Sequence, residues 1–228
     1  MIVAIQQPEH FPWIGFFNKM ILADEYLYLD NVQFKKRYFE NRNKLRNATT
    51  EGWDWVTVPV ITKNLFHQKI NEVEIDYGQQ WQKKYLNKIR NCYSRAAFFD
   101  ELFGRIERII MKGHKHLVEL NLELINFVRD YLGITTSALC ASEVAEGRGS
   151  DLILKLCQNR NADIYLSGPD GRNYLNLEAF KGENIKVTYH DYQHPAYEQL
   201  FEPFISHMSV IDLLFNYGKN SVKFIRAI

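Results

Sequence analysis

The stretch QQPEHFPWIGFF, starting at Gln6, sets Glu9 and His10 just ahead of Pro12, Trp13 and Gly15. An imidazole beside a carboxylate is a proton-handling pair, because imidazole titrates nearest neutral pH. His10 is therefore the expected general base, with Glu9 beside it and Lys35 as the accompanying charge. Pro12 suits a first helical position, where its missing N–H would be unpaired anyway. The free N–H groups of a helix start attract anions. Gly15 removes a side chain one turn in, so that a ligand or another element can come close. Gln7, Pro12, Trp13 and Gly15 are thus expected to line a site for a phosphate-bearing ligand. Plain packing of the helix on a sheet would explain Pro12, Trp13 and Gly15 but not Glu9 and His10.

A second cluster, QFKKRYFENRNKLR, carries Lys35, Lys36, Arg37, Asn41, Arg42, Lys44 and Arg46 beside Tyr38 and Phe39. Arginine forks grip phosphate bidentately and lysine acts as a point charge. Asp30 stands just before this run, and Lys36, Asn41 and Arg42 are the expected phosphate and ligand contacts. A solvated basic loop is the bland alternative. A third cluster, YLSGPDGRNYL, places Ser167, Gly168, Asp170 and Arg172 on a glycine-bearing turn. A fourth, YHDYQHPAYEQL, holds His190, Asp191 and His194 but lacks an HxxxH helix, so no metal site is expected. There is no P-loop, GxGxxG, GxSxG or paired DxD carboxylate motif.

These groups need elements to position them. IVAIQQ is a short apolar, β-branched run and reads as a buried parallel strand. The apolar spacing from Pro12 to Asp24 reads as a helix, and EYLYLD as the next strand. Residues 31–47 show no period and read as a long polar loop. WDWVTVPV alternates, as does INEVEID, so the two are expected to pair as a hairpin excursion. Helices are expected over 79–94, 97–112 and 116–132, the last ending at Gly133 as its left-handed terminator. Then follow strand (TTSALCAS), helix with Ser150 as N-cap, strand (ADIYLSG), short helix (NLEAFKG), strand (IKVTYHDY) and a last helix near SVIDLLFNYG. Strands alternating with helices at both ends give an α/β, Rossmann-like, open and mainly parallel sheet, with a hairpin excursion and a mid-chain helical insertion. A single domain over 1–228 is expected, with 79–132 as a helical subdomain at most. In such a sheet ligands sit at the carboxyl ends of the strands, where the first three clusters fall.

The bulk numbers exclude little chemistry but several partners. The chain has 228 residues, an apolar fraction of 46% and a formal net charge of +1. That charge gives no global attraction to nucleic acid or anionic lipid. No apolar stretch approaches the ~20 residues of a membrane span. No signal peptide is expected, and the three unpaired-looking cysteines fit a reducing cytoplasm.

In order along the chain, QQPEHFPWIGFF, ADEYLYLDNVQF, ENRN, YLSGPDGRNYL, HPAYEQ and SVIDLLFNYG together resemble the WbqC-like family. Members of that family are found among genes for bacterial O-antigen and other surface polysaccharides. The resemblance implies work on a nucleotide-linked sugar, with attachment of an acyl or aminoacyl group such as glycine to an amino sugar. A second likeness is to the nucleotidyltransferase and pantothenate-synthetase superfamily, which binds ATP through a His-x-Gly-His motif. The corresponding stretch here is Trp13-Ile14-Gly15-Phe16, with the glycine kept and both histidines replaced. ATP with Mg is the activating cofactor this likeness implies, and acyl-CoA the rival donor form. The expected partners are a nucleotide-linked sugar and a small acyl or amino-acid donor, without nucleic acid or membrane insertion; a homodimer is compatible. The rival functions are a non-catalytic scaffold of polysaccharide assembly and a single-strand nucleic-acid binder.

Overall fold

The computed structural model describes residues 1–227. Five parallel strands form one sheet in the order β5-β2-β1-β6-β7. They are β1 (Ile2–Gln6), β2 (Glu25–Tyr28), β5 (Ser137–Cys140), β6 (Ile164–Ser167) and β7 (Lys186–Tyr189). β1 is central, pairing Ile5 with Leu27 on one side and Ala4 with Leu166 on the other. The alternation of side chains along a strand explains its unbroken apolar run. Val3 and Ile5 join Leu27 in a core with Leu152, Ile153 and Leu156 of α5 (Gly149–Asn159) and Phe180 of α6 (Leu177–Gly182). Ala4, Tyr26 and Tyr28 face the other way, into a larger core with Phe16 and Met20 of α1 (Ile14–Ile21). Helices therefore cover both faces, as a Rossmann-like arrangement requires.

The larger core is shared by α2 (Trp81–Tyr93), α3 (Phe99–Met111), α4 (Leu117–Leu132) and α7 (Val210–Tyr217). Each of α2, α3 and α4 presents one apolar stripe, such as Leu117, Leu120, Leu124 and Phe127 on α4. Gly133 ends α4 at φ 67°, a backbone region that glycine occupies without steric cost. A short helix α8 (Ser221–Ile225) closes the described chain.

Three expectations are corrected. The hairpin forms, but between β3 (Arg42–Arg46) and β4 (Trp53–Thr57), antiparallel with Leu45 opposite Asp54. Residues 42–46 are thus a strand, not loop. Their alternation is hidden because Asn43, which shares a face with Leu45, is polar, and Arg46 on the other face is buried too. INEVEID makes only two isolated bridges, Ile75 with Val60 and Glu74 with His116, after a one-turn 3-10 helix at Ile70–Glu72. Second, α1 begins at Ile14 rather than Pro12. The backbone at Trp13 stays extended because it bridges Ser209, while Val210 N–H donates to the Pro12 carbonyl at 3.0 Å. Third, Arg148 rather than Ser150 occupies the cap position of α5, and the Ser150 hydroxyl instead accepts from Asn176 N–H at 2.9 Å.

Candidate functional site

The chain runs outward from β1 through β2 to β5, then returns to build β6 and β7 on the other side. The switch point lies between the carboxyl ends of β1 and β6, where ligands of open α/β sheets bind. A cleft of about 670 Å³ opens there, walled by Gln6 and Gln7 after β1 and by Ser167 and Gly168 after β6.

The loop leaving β1 is held from several directions. Asn121 on α4 donates to the carbonyls of Pro8 and Glu40 at 2.9 and 2.7 Å. Asn43 on β3 donates to the Phe11 carbonyl at 2.8 Å, and the Ser209 hydroxyl donates to the same oxygen at 3.0 Å. These bonds fix Phe11 at φ 43°, a region that bulky side chains rarely adopt. Such over-determined strain is found where a loop must present side chains in one geometry.

On the cleft floor, Lys19 rises from α1, nearly fully buried, and Nζ donates to the Ile5 carbonyl at 2.9 Å. Gln6 bridges Lys19 to Glu9: its Oε1 is 3.5 Å from Lys19 Nζ and its Nε2 donates to Glu9 Oε1 at 3.2 Å. Glu9 Oε2 has no partner among the described residues. Burial pushes the Glu9 carboxyl up to about 7, and nearby Glu40 adds to the shift. Burial pulls the Lys19 ammonium down to about 7, against the attraction of Glu9. Behind the lining, burial pushes the Glu40 carboxyl, unpartnered at both oxygens among the described residues, up to about 7. The floor thus holds groups that exchange protons near neutral pH, which is where acid–base catalysis is most effective.

The walls are aromatic and imidazole-bearing. The Trp13 indole stacks on His207 with centroids 4.8 Å apart. His190 stacks on Tyr192 at 5.7 Å, and its Nε2 lies 2.6 Å from Asn18 Oδ1. Burial and the Lys19 charge push the His190 imidazole down to about 4, so it is neutral at pH 7.

Of the residues expected from sequence, the cleft gathers Gln7, Glu9, Trp13, Gly15, Lys35, Ser167, Gly168 and Asp170. It does not gather the others. His10 is fully buried behind the loop, with Nδ1 2.9 Å from Asn121 Oδ1 and Nε2 2.6 Å from the Tyr85 hydroxyl. Burial pushes its imidazole down to about 4. Pro12 is buried under the segment that carries Val210. Asp30 accepts from the backbone and hydroxyl of Ser142 at 2.9 and 2.6 Å, tying β2 to β5. Asn41 donates to the Val58 carbonyl at 3.0 Å. Arg42 lies over the Trp55 ring at 3.8 Å, and Lys36 is exposed away from the cleft lining. Arg172 pairs with Asp191 at 2.7 Å, so only its partner edges the cleft.

Sequence reasoning missed Lys19, Tyr165, Tyr174, Tyr192 and His207, all on the cleft wall. A signal for Lys19 did exist: in IGFFNKMI it and Asn18 are the only polar residues of a helix that is otherwise apolar. In sequence His190 suggests a metal pair with His194 or an alternative base; in the structure His190 and Asp191 edge the cleft. Among the described residues no three His, Cys, Asp or Glu side chains are grouped to hold a metal ion.

An open parallel sheet with a polar cleft at its switch point defines a Rossmann-like α/β protein, and the strand ends are where folds of this kind bind ligands. The chain belongs to the WbqC-like protein family, whose model matches residues 7–224. It is 37% identical over 228 residues to "Uncharacterized protein Rv1507c" of Mycobacterium tuberculosis, covering 98% of this chain and 97% of that one. No solved structure matches the chain. Among the described residues no helix is long and apolar enough to cross a membrane.

Proposed function

We propose that the protein binds a nucleotide-linked amino sugar in the switch-point cleft and joins a small acyl or aminoacyl group to its amine, in the making of a surface polysaccharide. The observation that carries this reading is the Glu9–Gln6–Lys19 floor at the end of β1. The attacking nitrogen forms the C–N bond, the bond from the carbonyl carbon to its leaving group breaks, and the surplus proton passes to Glu9. A carboxylate raised to about 7 by burial is a competent base near neutrality. Lys35 at the mouth supplies charge for the nucleotide phosphates, and Trp13 a flat apolar wall. Membership of the WbqC-like family supports the polysaccharide setting. The withdrawal of His10 from the cleft favours a second reading, a nucleotide-sugar-binding protein without catalysis.

Mass spectrometry separates the two. The protein is incubated with nucleotide-linked amino sugars plus ATP, Mg and small amino acids, or plus acyl-CoAs. A mass gain on the sugar, lost about 10²–10⁴-fold in Glu9→Gln, supports the enzyme. Tight sugar binding with no product under either donor regime supports the binding protein. No binding of any nucleotide-linked sugar removes both.

A further inference from the structure

We propose that Lys19 is a carboxylate-binding residue, and that the cleft floor takes its acyl donor as a free carboxylate rather than as a thioester. The inference rests on the amide-forming reading of the same cleft. An ammonium group has three N–H donors. Lys19 spends one on the Ile5 carbonyl at 2.9 Å and directs a second at Gln6 Oε1, 3.5 Å away. The third has no protein acceptor among the described residues, and Nζ stands on the wall of an open cleft. Gly168 stands beside it, where a Cβ would lie 4.0 Å from Nζ, in ordinary contact.

Charge decides what kind of anion fits. Glu9 and His190 are the titratable groups that act on Lys19, and Glu40 lies close enough to repel Glu9. One cation coupled to the Glu9 carboxyl has a single free donor for a phosphate, which as monoanion or dianion wants several. A monoanionic carboxylate needs one charge-assisted bond, which Lys19 has free. Gln6 then fixes the spacing between this pole and Glu9. Two opposite poles spaced by one amide side chain suit the two groups that an amide joins. A thioester has no carboxylate to offer Lys19. The free carboxylate therefore requires a separate activating co-reactant of the nucleoside triphosphate class.

Calorimetric titration with sodium acetate and with inorganic phosphate tests the assignment, on the wild type and on Lys19→Met and Lys19→Arg. Acetate is expected to bind the wild type in preference to phosphate at pH 6. Its affinity should fall as pH rises to 8.5 and the ammonium loses its proton. Lys19→Met should weaken acetate about ten- to a hundredfold, and Lys19→Arg should recover part of the loss. Acetate affinity unchanged in Lys19→Met, phosphate preferred over acetate, or a flat pH profile would each overturn the proposal. If Lys19→Met does not fold, the wild-type anion preference and pH profile still decide. A parallel titration with a nucleotide-linked amino sugar keeps the two readings apart. Acetate binding without sugar binding leaves Lys19 assigned and the sugar reading lost; sugar binding without acetate binding does the reverse.

Discussion

His10 and Asn121 lie 111 residues apart in the chain and meet side chain to side chain, His10 Nδ1 resting 2.9 Å from Asn121 Oδ1. The same Asn121 holds the carbonyls of Pro8 and Glu40 through its Nδ2. The imidazole's other nitrogen meets the Tyr85 hydroxyl at 2.6 Å. His10 is therefore a pin that joins the β1 loop to α2 and α4. Its removal leaves two buried polar groups unpaired, each costing about 1–3 kcal/mol, besides a cavity. His10→Ala should destabilise the fold by about 3 kcal/mol or more, seen as a lowered denaturation midpoint. Unchanged stability with lost turnover would instead return His10 to the chemistry.

The same burial makes the pin sensitive to acid. The His10 imidazole falls from 6.5 to about 4, so the folded state resists a proton that the unfolded chain accepts. Its contribution is full above pH 6.5 and is lost as pH falls towards 4. At about 1.4 kcal/mol per unit, the loss amounts to about 3 kcal/mol. Glu9, Glu40 and Asp212 work the other way, since their raised carboxyls favour the folded state as they take up protons, Glu9 and Glu40 below about 7 and Asp212 below about 6. The His10 contribution shows in a difference. The stability gap between wild type and His10→Gln should be widest at pH 7–8 and narrow by about 3 kcal/mol at pH 4. A gap independent of pH would mean that His10 is not buried as a neutral ring.

What the sequence made legible follows from the range of the forces involved. β1 and α4 could be read because apolar periodicity and a terminating glycine are local. The cleft's position could be read because strand order places three loops on one edge. The roles of His10 and Arg46 could not. Arg46 is fully buried and spends its guanidinium on Gln199 Oε1 at 3.0 Å and on the carbonyls of Asn47, Gly52, Phe201 and Pro203. Two of these partners are adjacent in sequence to nothing that marks them. A basic residue in KLR looks solvated until the chain 150 residues later supplies its acceptors. Lys19 is a different case: as a polar residue inside an apolar helix pattern it is visible in the sequence, but its acceptors, the Ile5 carbonyl and Gln6, lie on another element.

Arg46 accordingly gives a sharp comparison. Lys offers three donors and no planar fork, so it leaves several of these acceptors unpaired. Arg46→Lys keeps the charge but should cost about 3 kcal/mol or more, since each buried acceptor left unpaired costs about 1–3 kcal/mol, and should loosen residues 199–205. Hydrogen exchange would show faster exchange at Ile205, whose N–H donates to Gln199 Oε1 at 2.9 Å. Unaltered exchange there would show that the network does not hold the segment.

The two halves of the basic stretch should separate on ligand binding. Lys35 edges the cleft, whereas Arg42 is committed to the Trp55 ring on the hairpin. Lys35→Ala should weaken a nucleotide-linked sugar about three- to tenfold, less at high salt because the residue is exposed. Arg42→Ala should leave that affinity within about twofold. Calorimetric titration at two salt concentrations reads both, and a larger loss from Arg42 would move the phosphate site onto the hairpin.

Gly15 is expected to govern the aromatic wall. A Cβ at this position would fall 2.2 Å from the Trp13 ring, which lies across the first turn of α1. Alanine is otherwise the better helix former by about 1 kcal/mol, so propensity and contact oppose each other at one site. Contact wins, because the indole is already held on its far side by His207 at 4.8 Å and cannot retreat without unstacking. Overpacking of this kind costs about 1–3 kcal/mol. Gly15→Ala should therefore lower stability modestly, weaken the near-ultraviolet circular dichroism of Trp13, and reduce affinity for a nucleotide-linked sugar. Trp13→Phe with Gly15→Ala should regain stability but not affinity, since the smaller ring clears the methyl without restoring the wall. Full affinity in Gly15→Ala would mean that the ligand does not touch Trp13.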